Sequence, residues 1–207
     1  MKKKTDKMIG YRIFKAILGP IYKFYYNPKF LGLENIPLDG PIIFAGNHIH
    51  LMDQNAIIVS YKRPIHYMAK KEYWDSFKTR WFFKAVGCIP VNRSIKDEVA
   101  TEKALEVLNN GGCIGIFPEG TRNKTDAFLL PFKFGAVSMA KKTKATIVPF
   151  AVTGDYKFRS KNLVYRFGKP IKYGNDLAKQ NEILTKAITD LKNKSLKEEK
   201  NLEKGSK

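Results

Sequence analysis

The stretch PIIFAGNHIHLMD, residues 41–53, decides the reading of this chain. Ile42, Ile43 and Phe44 are strand formers, and through Ala45 and Gly46 they lead into a polar turn holding Asn47, His48 and Asp53. Residues 54–61 are apolar enough for a helix, which Arg63-Pro64 ends, and Asn47 is of a type that caps helix N-termini. A histidine where a strand meets a helix is aimed into the cleft beyond the strand. A carboxylate folded back onto one of its ring nitrogens fixes the tautomer and raises the basicity of the other. The pattern therefore marks His48 as candidate general base and Asp53 as the residue that orients it.

Outward from that turn the same alternation recurs. Residues 65–69 (IHYMA) read as a strand ending at Lys70, and residues 73–86 as an amphipathic aromatic helix stopped by Gly87. Strands are expected at 88–91, 113–117 (CIGIF), 145–153 and 163–167, with helices at 97–109, 134–142 and about 181–193. Strands alternating with helices predict a single α/β domain: a mostly parallel central sheet flanked by helices, with its site at the strand ends. The expected layout is one main domain over residues 31–193, an N-terminal segment over 1–30, and a charged tail over 194–207 with no apolar stripe, read as a solvated helix end or flexible chain.

The N-terminal segment mixes aromatic and aliphatic residues with Arg12, Lys15 and Lys23 around a central Gly19-Pro20. Its apolar runs fall short of the roughly 18–20 residues that span a bilayer, and no signal-peptide core is evident. Two short amphipathic helices broken at Pro20 are expected, forming a hairpin that docks on an anionic membrane surface. The reading places the protein peripherally or monotopically at the cell membrane, on the cytoplasmic face. A net charge of +19 favours anionic partners, but most of the basic residues are lysine, a bias that base composition alone produces. Cys88 and Cys113 have no CxxC spacing and read as buried thiols.

Polar groups that a core would not choose sit at several strand ends: His48 and Asp53, Lys70, Arg93, and Glu119 with Arg122. Brought to one edge, they supply a base, a carboxylate and a cluster of cations. Such a site suits removing a proton from a hydroxyl on a molecule that also carries a phosphate, as the alcohol attacks a carbonyl.

Four blocks sharpen this reading. NHIHLMD (47–53) fits NHxxxxD, GCIPVNR (87–93) fits a glycine-to-arginine block, FPEGTR (117–122) is unbroken, and IVPF (147–150) is a VP-containing strand. In these the chain resembles the glycerophospholipid acyltransferase family, specifically the 1-acyl-glycerol-3-phosphate acyltransferases. The resemblance implies that His48 and Asp53 are catalytic and that Arg93, Lys70 and the Glu119, Gly120, Thr121 and Arg122 turn bind the acceptor. It implies transfer of a fatty acyl group from acyl-CoA or acyl carrier protein to lysophosphatidic acid, with the thioester as co-substrate and no metal or other cofactor. One departure stands at His50, where the family often has Ser. Lys133 is a further candidate for holding the acceptor, and the aromatic helix at 73–86 for lining an acyl groove.

Competing readings are an HxHxxD metal cluster, which lacks downstream ligands, another acceptor such as glycerol-3-phosphate or a different lysolipid, and a non-catalytic basic membrane-binding protein. No nucleic-acid partner is expected, because neither an RNA-binding aromatic motif nor a helix-turn-helix is present.

Overall fold

Strand β2 (Ile42–Gly46) is buried along its whole length, because it lies at the centre of a seven-stranded sheet. The computed structural model describes residues 8–92, 94–95 and 97–205. Beside β2 run β5 (Cys113–Ile116) and β6 (Thr146–Thr153), both parallel to it, and β3 (Ile65–Lys70) and β4 (Ile89–Val91) extend the parallel set beyond β5. On the other side β7 (Val164–Phe167) returns antiparallel to β6, and β1 (Lys29–Leu31) closes the edge parallel to β7, giving the order β1-β7-β6-β2-β5-β3-β4. The five parallel strands all open their C-terminal ends onto one edge, as the alternation predicts.

Strand periodicity divides the core in two. Ile42 and Phe44 face one way with Cys113, Val148 and Phe150, under α1 (Ile9–Tyr26) and α2 (Asp53–Ser60). Ile43 and Ala45 face the other way with Ile114 and Ile147, against α5 (Glu98–Asn109), α6 (Gly135–Thr143) and α7 (Leu177–Gly205). The small residues Ala100, Ala104, Ala136 and Ala140 let α5 and α6 sit close to the sheet.

Four expectations are corrected. The N-terminal segment is one helix, not a hairpin: α1 runs unbroken through Pro20. A proline removes one backbone donor, but Tyr11, Gly19 and Tyr22 are buried along one side, and a Cβ on Gly19 would stand 3.3 Å from Val59. That packing holds the axis across the lost bond. Lys15, read as part of a cationic face, instead donates to the carbonyl of Tyr61 at the end of α2. Second, the aromatic helix is two pieces, α3 (Glu72–Asp75) and α4 (Phe77–Ala85), divided at Ser76, which is extended. Third, β1 was not anticipated: three residues with two exposed carry no periodic signal.

Fourth, the tail is not free where it begins. Helix α7 continues to Gly205; Ser195 is buried and accepts from Arg166 Nε at 3.0 Å, and Glu198 pairs with the same guanidinium. Arg166 is a buried cation on β7, so the helix is drawn on by the group it must satisfy.

Neither cysteine is in a disulfide; Cys113 is buried and Cys88 half-buried. Among the described residues no helix is long and apolar enough to cross a membrane. The outer side of α1 nonetheless exposes Ile9, Ile13, Ile17, Ile21 and Phe24, and Phe14 packs on Trp81 and Phe82 of α4.

Candidate active site

The turn after β2 begins at Gly46, where any Cβ would collide with the ring of Phe150. Asn47 does not cap α2. Its side chain, 1% exposed, donates to the Val152 carbonyl at 2.9 Å and accepts from the Val152 N–H at 2.8 Å, stitching the end of β2 to β6. A buried amide with both ends used is worth more there than at a cap, where water competes. Helix α2 starts instead at Asp53, whose carboxylate lies at the positive end of the helix.

Asp53 is fully buried and folds back over its own turn. Its Oδ2 accepts from His48 Nδ1 at 2.7 Å and from the backbone N–H groups of Ile49 at 2.8 Å and His50 at 2.9 Å. Its Oδ1 accepts from the hydroxyl of Tyr156 and, at 3.4 Å, from that of Tyr165. With Nδ1–H given to Asp53, the Nε2 lone pair of His48 is left for an incoming proton. The ring is held flat against Phe117, with centroids 3.9 Å apart and planes 12° from parallel.

Glu119 is brought to this turn, but in a role that its motif does not announce. It is 4% exposed; Oε1 accepts from the N–H of His48 and Oε2 from that of Leu130, each at 2.8 Å. The carboxylate thus ties the histidine's own backbone to the loop ahead of α6. The His48 carbonyl is held in turn by the Asn123 N–H at 2.8 Å. The turn after β2 and the turn after β5 are clasped together at His48.

The cations follow a different rule. Arg122 is half-buried beside His50, close enough for its charge to hold that imidazole's pKa down, after burial as the larger cause. Lys133 lies over the FPEGTR turn: a Cβ on Gly120, which has φ +72°, would meet Lys133 Cε and Nζ at 3.0 Å. Thr121 is exposed. Lys70 ends β3, beyond its last pairing with β5, and is exposed. No carboxylate stands at ion-pair distance from Arg122, Lys133 or Lys70 among the described residues. Arg93 lies outside the described residues. The described His, Cys, Asp and Glu side chains form no group of three able to hold a metal ion.

Two participants were missed from the sequence. Tyr156 and Tyr165 belong to none of the four blocks, and the only hint was position: Tyr156 follows the end of β6, at the same sheet edge as the other strand-end groups. His50, noted as a departure and as a member of the competing HxHxxD cluster, stacks on Tyr156 with centroids 4.0 Å apart and takes the Met52 N–H on Nδ1 at 3.3 Å. Its tautomer is therefore the one with Nε2–H.

Comparison with known proteins meets this geometry. Residues 27–153 match the family model described as Acyltransferase. The 1-acyl-sn-glycerol-3-phosphate acyltransferase of Bacillus subtilis is 32% identical over 184 residues, which cover 80% of this chain and 88% of the relative. The protein of the same name from Borreliella burgdorferi is 37% identical over 139 residues, 66% of this chain and 55% of the relative, so the match spans about half of that longer protein. Among solved structures, the 1-acyl-sn-glycerophosphate (LPA) acyltransferase PlsC of Thermotoga maritima has the same fold, with a TM-score of 0.69 at 23% identity, covering 86% of this chain and 79% of that one.

Proposed function

The chain belongs to the acyltransferase family, and we propose that it moves a fatty acyl group from acyl-CoA or acyl carrier protein to the free hydroxyl of lysophosphatidic acid, making phosphatidic acid. The observation that carries this reading is the pairing of His48 Nδ1 with buried Asp53, with Arg122 close to His50 of the same turn and in no ion pair among the described residues. His48 Nε2 removes the hydroxyl proton as the oxygen attacks the thioester carbonyl. The tetrahedral intermediate collapses, the C–S bond breaks, and the imidazolium returns its proton to the departing thiolate. Asp53 stabilises the imidazolium while it lasts. No covalent acyl-enzyme, metal or cofactor is needed, because the alcohol itself is activated and positioned.

Arg122, with Lys133 over Gly120 of the same motif, Lys70 at the end of β3 and Arg93 from the second block, binds the phosphate. A guanidinium held free of any carboxylate partner keeps its donors for a dianion. Glu119 serves this site as a clasp on the His48 backbone rather than as a ligand of the acceptor.

The exposed stripe of α1, Ile9, Ile13, Ile17, Ile21 and Phe24, continues onto α4 through Trp81 and Phe77, which are 61% and 91% exposed. That apolar face suits immersion in the headgroup region, with the protein peripheral on the cytoplasmic face of the membrane. It delivers a lipid acceptor to the sheet edge without a spanning helix.

The test is to incubate the purified protein with lysophosphatidic acid and acyl-CoA or acyl carrier protein thioesters of several lengths, and to identify the product by mass. Phosphatidic acid formed by the wild type and not by His48→Ala supports the reading. Product from glycerol-3-phosphate but not from lysophosphatidic acid, or equal product from His48→Ala, overturns it.

A further inference from the structure

The loop that follows β6 contributes a group the reaction scheme has not yet used. Gly154, at φ +88°, turns the chain where a Cβ would strike the Asn162 carbonyl, and Asp155 N–H donates to the Asn162 side chain at 3.2 Å. The far side of the loop is fastened to the end of α1: Arg159 N–H donates to the Tyr25 carbonyl at 2.6 Å, and Asn27 Nδ2 to the Ser160 carbonyl at 3.2 Å. Tyr156 stands between these ties. Its ring lies flat on His50 at 4.0 Å and edge-on to Tyr26 at 5.3 Å, so it cannot swing away without opening both contacts.

We propose that Tyr156 is a positioning residue of the reaction: by donating its hydroxyl to Asp53 Oδ1, backed by the Tyr165 hydroxyl, it fixes the carboxylate and moderates its pull on His48, so setting the pH at which the base becomes available. A carboxylate turns easily about its terminal torsion. Oδ2 carries three donors on one edge of the group, and a donor on Oδ1 locks the other. Each hydrogen bond accepted by the carboxylate also reduces the negative charge it presents to the imidazole. Burial pushes both phenols up, the neighbouring phenol or carboxylate adding to it, so both stay protonated and available as donors.

The groups facing the dyad from every side are few. His50 comes from its own turn, Arg122 and Glu119 from the turn after β5, Tyr156 from this loop, Tyr165 from β7, Tyr22 from α1 and Tyr67 from β3. Tyr156→Phe removes one donor from Asp53 and leaves the ring on His50 in place. Oδ1, left with only the longer contact to the Tyr165 hydroxyl, then leaves more charge on the carboxylate, which favours the imidazolium, and the base is freed only at higher pH.

The inference rests on the acyltransferase reading, and its experiment keeps the two apart. Wild type, Tyr156→Phe and Tyr165→Phe are compared in kcat/KM for lysophosphatidic acid against pH, with His48→Ala as the blank. Tyr156→Phe is expected to lower kcat about 10-fold, to leave KM within about 2-fold, and to move the acid limb up by roughly half to one pH unit. Tyr165→Phe should move it the same way by less. The acceptor phosphate titrates alike in all three proteins, so the difference between limbs belongs to the enzyme. Independently of turnover, the Nδ1–H proton resonance of His48 should shift in Tyr156→Phe. Lower activity with the limb and the resonance unmoved, a limb moving down, unchanged kinetics, or loss of fold in both variants each overturns the proposal. A wild type that acylates nothing while the resonance shifts in Tyr156→Phe sinks the functional reading and leaves only the coupling of Tyr156 through Asp53 to His48 standing.

Discussion

The two halves of the site are built on opposite principles. Around His48 and Asp53 the protein supplies the partners itself: the carboxylate of Asp53 is surrounded by donors, the His48 backbone is held at both its N–H and its carbonyl, and the ring is stacked on Phe117. Around Arg122, Lys133 and Lys70 it supplies none from the described residues. The contrast teaches where each function resides. Groups that must hold an angle during chemistry are satisfied in advance, because an unmet buried polar atom would pull them elsewhere. On the proposed function, the groups left unmet are the ones that grip the substrate, whose partner is the ligand.

The sharpest way to break the comparison is to exchange the kinetic signatures of the two halves. His48→Ala should lower kcat by about 10³–10⁴-fold and leave the acceptor KM within about 3-fold. Arg122→Ala should instead raise KM for lysophosphatidic acid by about 10–100-fold, the worth of a charge-assisted hydrogen bond, and blunt the preference over an acceptor lacking phosphate. Steady-state kinetics with both acceptors decides it. A rise in KM for His48→Ala alongside a pure kcat loss for Arg122→Ala would reverse the assignment of the halves.

Glu119 tests the boundary between them, since its motif suggests a ligand and its contacts a clasp. Glu119→Gln replaces one accepting oxygen with an NH₂ that faces a backbone N–H. Stability should drop by about 1–3 kcal/mol, measured by urea unfolding, with kcat falling more than KM rises. A stable variant whose only defect is a higher acceptor KM would move Glu119 into the gripping half.

Much of this was legible before the fold was known, and the exceptions have a common cause. The strand runs IIFAG and CIGIF announce themselves because fully buried parallel strands are apolar on both faces. His48 and Asp53 were legible because their partnership is local, a turn closing on itself. What escaped depends on contacts distant in sequence. Pro20 reads as a break until the packing of Tyr11, Gly19 and Tyr22 is known, and the split at Ser76 is invisible in an aromatic pattern that spans it. Asn47 looks like a cap until Val152, 105 residues on, takes both ends of its amide. Glu119 reads as a ligand of the acceptor, and nothing near it in sequence signals that its oxygens accept from the His48 and Leu130 N–H groups. Tyr156 meets Asp53 from 103 residues away and carries no motif. Residue type proposed chemistry in each case, and only the tertiary partner decided which chemistry was used.

The smallest effect separates the three histidines. His48 faces a carboxylate, whereas His50 and His66 are set for the neutral ring. His66 donates Nδ1–H to the Gly87 carbonyl at 2.7 Å, and its buried Nε2 has no partner among the described residues, so a second proton there would find no acceptor among them. On His50, Nδ1 is taken by the Met52 N–H, and a proton would have to displace it. Burial lowers both pKa values; the Gly87 carbonyl opposes this at His66, and Asp53 opposes it at His50, where Arg122 reinforces it. Because the folded values lie below the unfolded value of about 6.5, the unfolded chain binds more protons in that range, and stability is complete above it and lost as pH falls through the folded values. Melting temperature should therefore decline as pH drops below about 6.5. The His50→Gln, His66→Gln double variant should flatten that decline by less than the ~2–4 °C that 1 kcal/mol is worth in a chain of this size. A decline equally steep in the double variant would assign it to carboxylates, and a stability that rises on acidification would overturn the neutral-ring reading of His50 and His66.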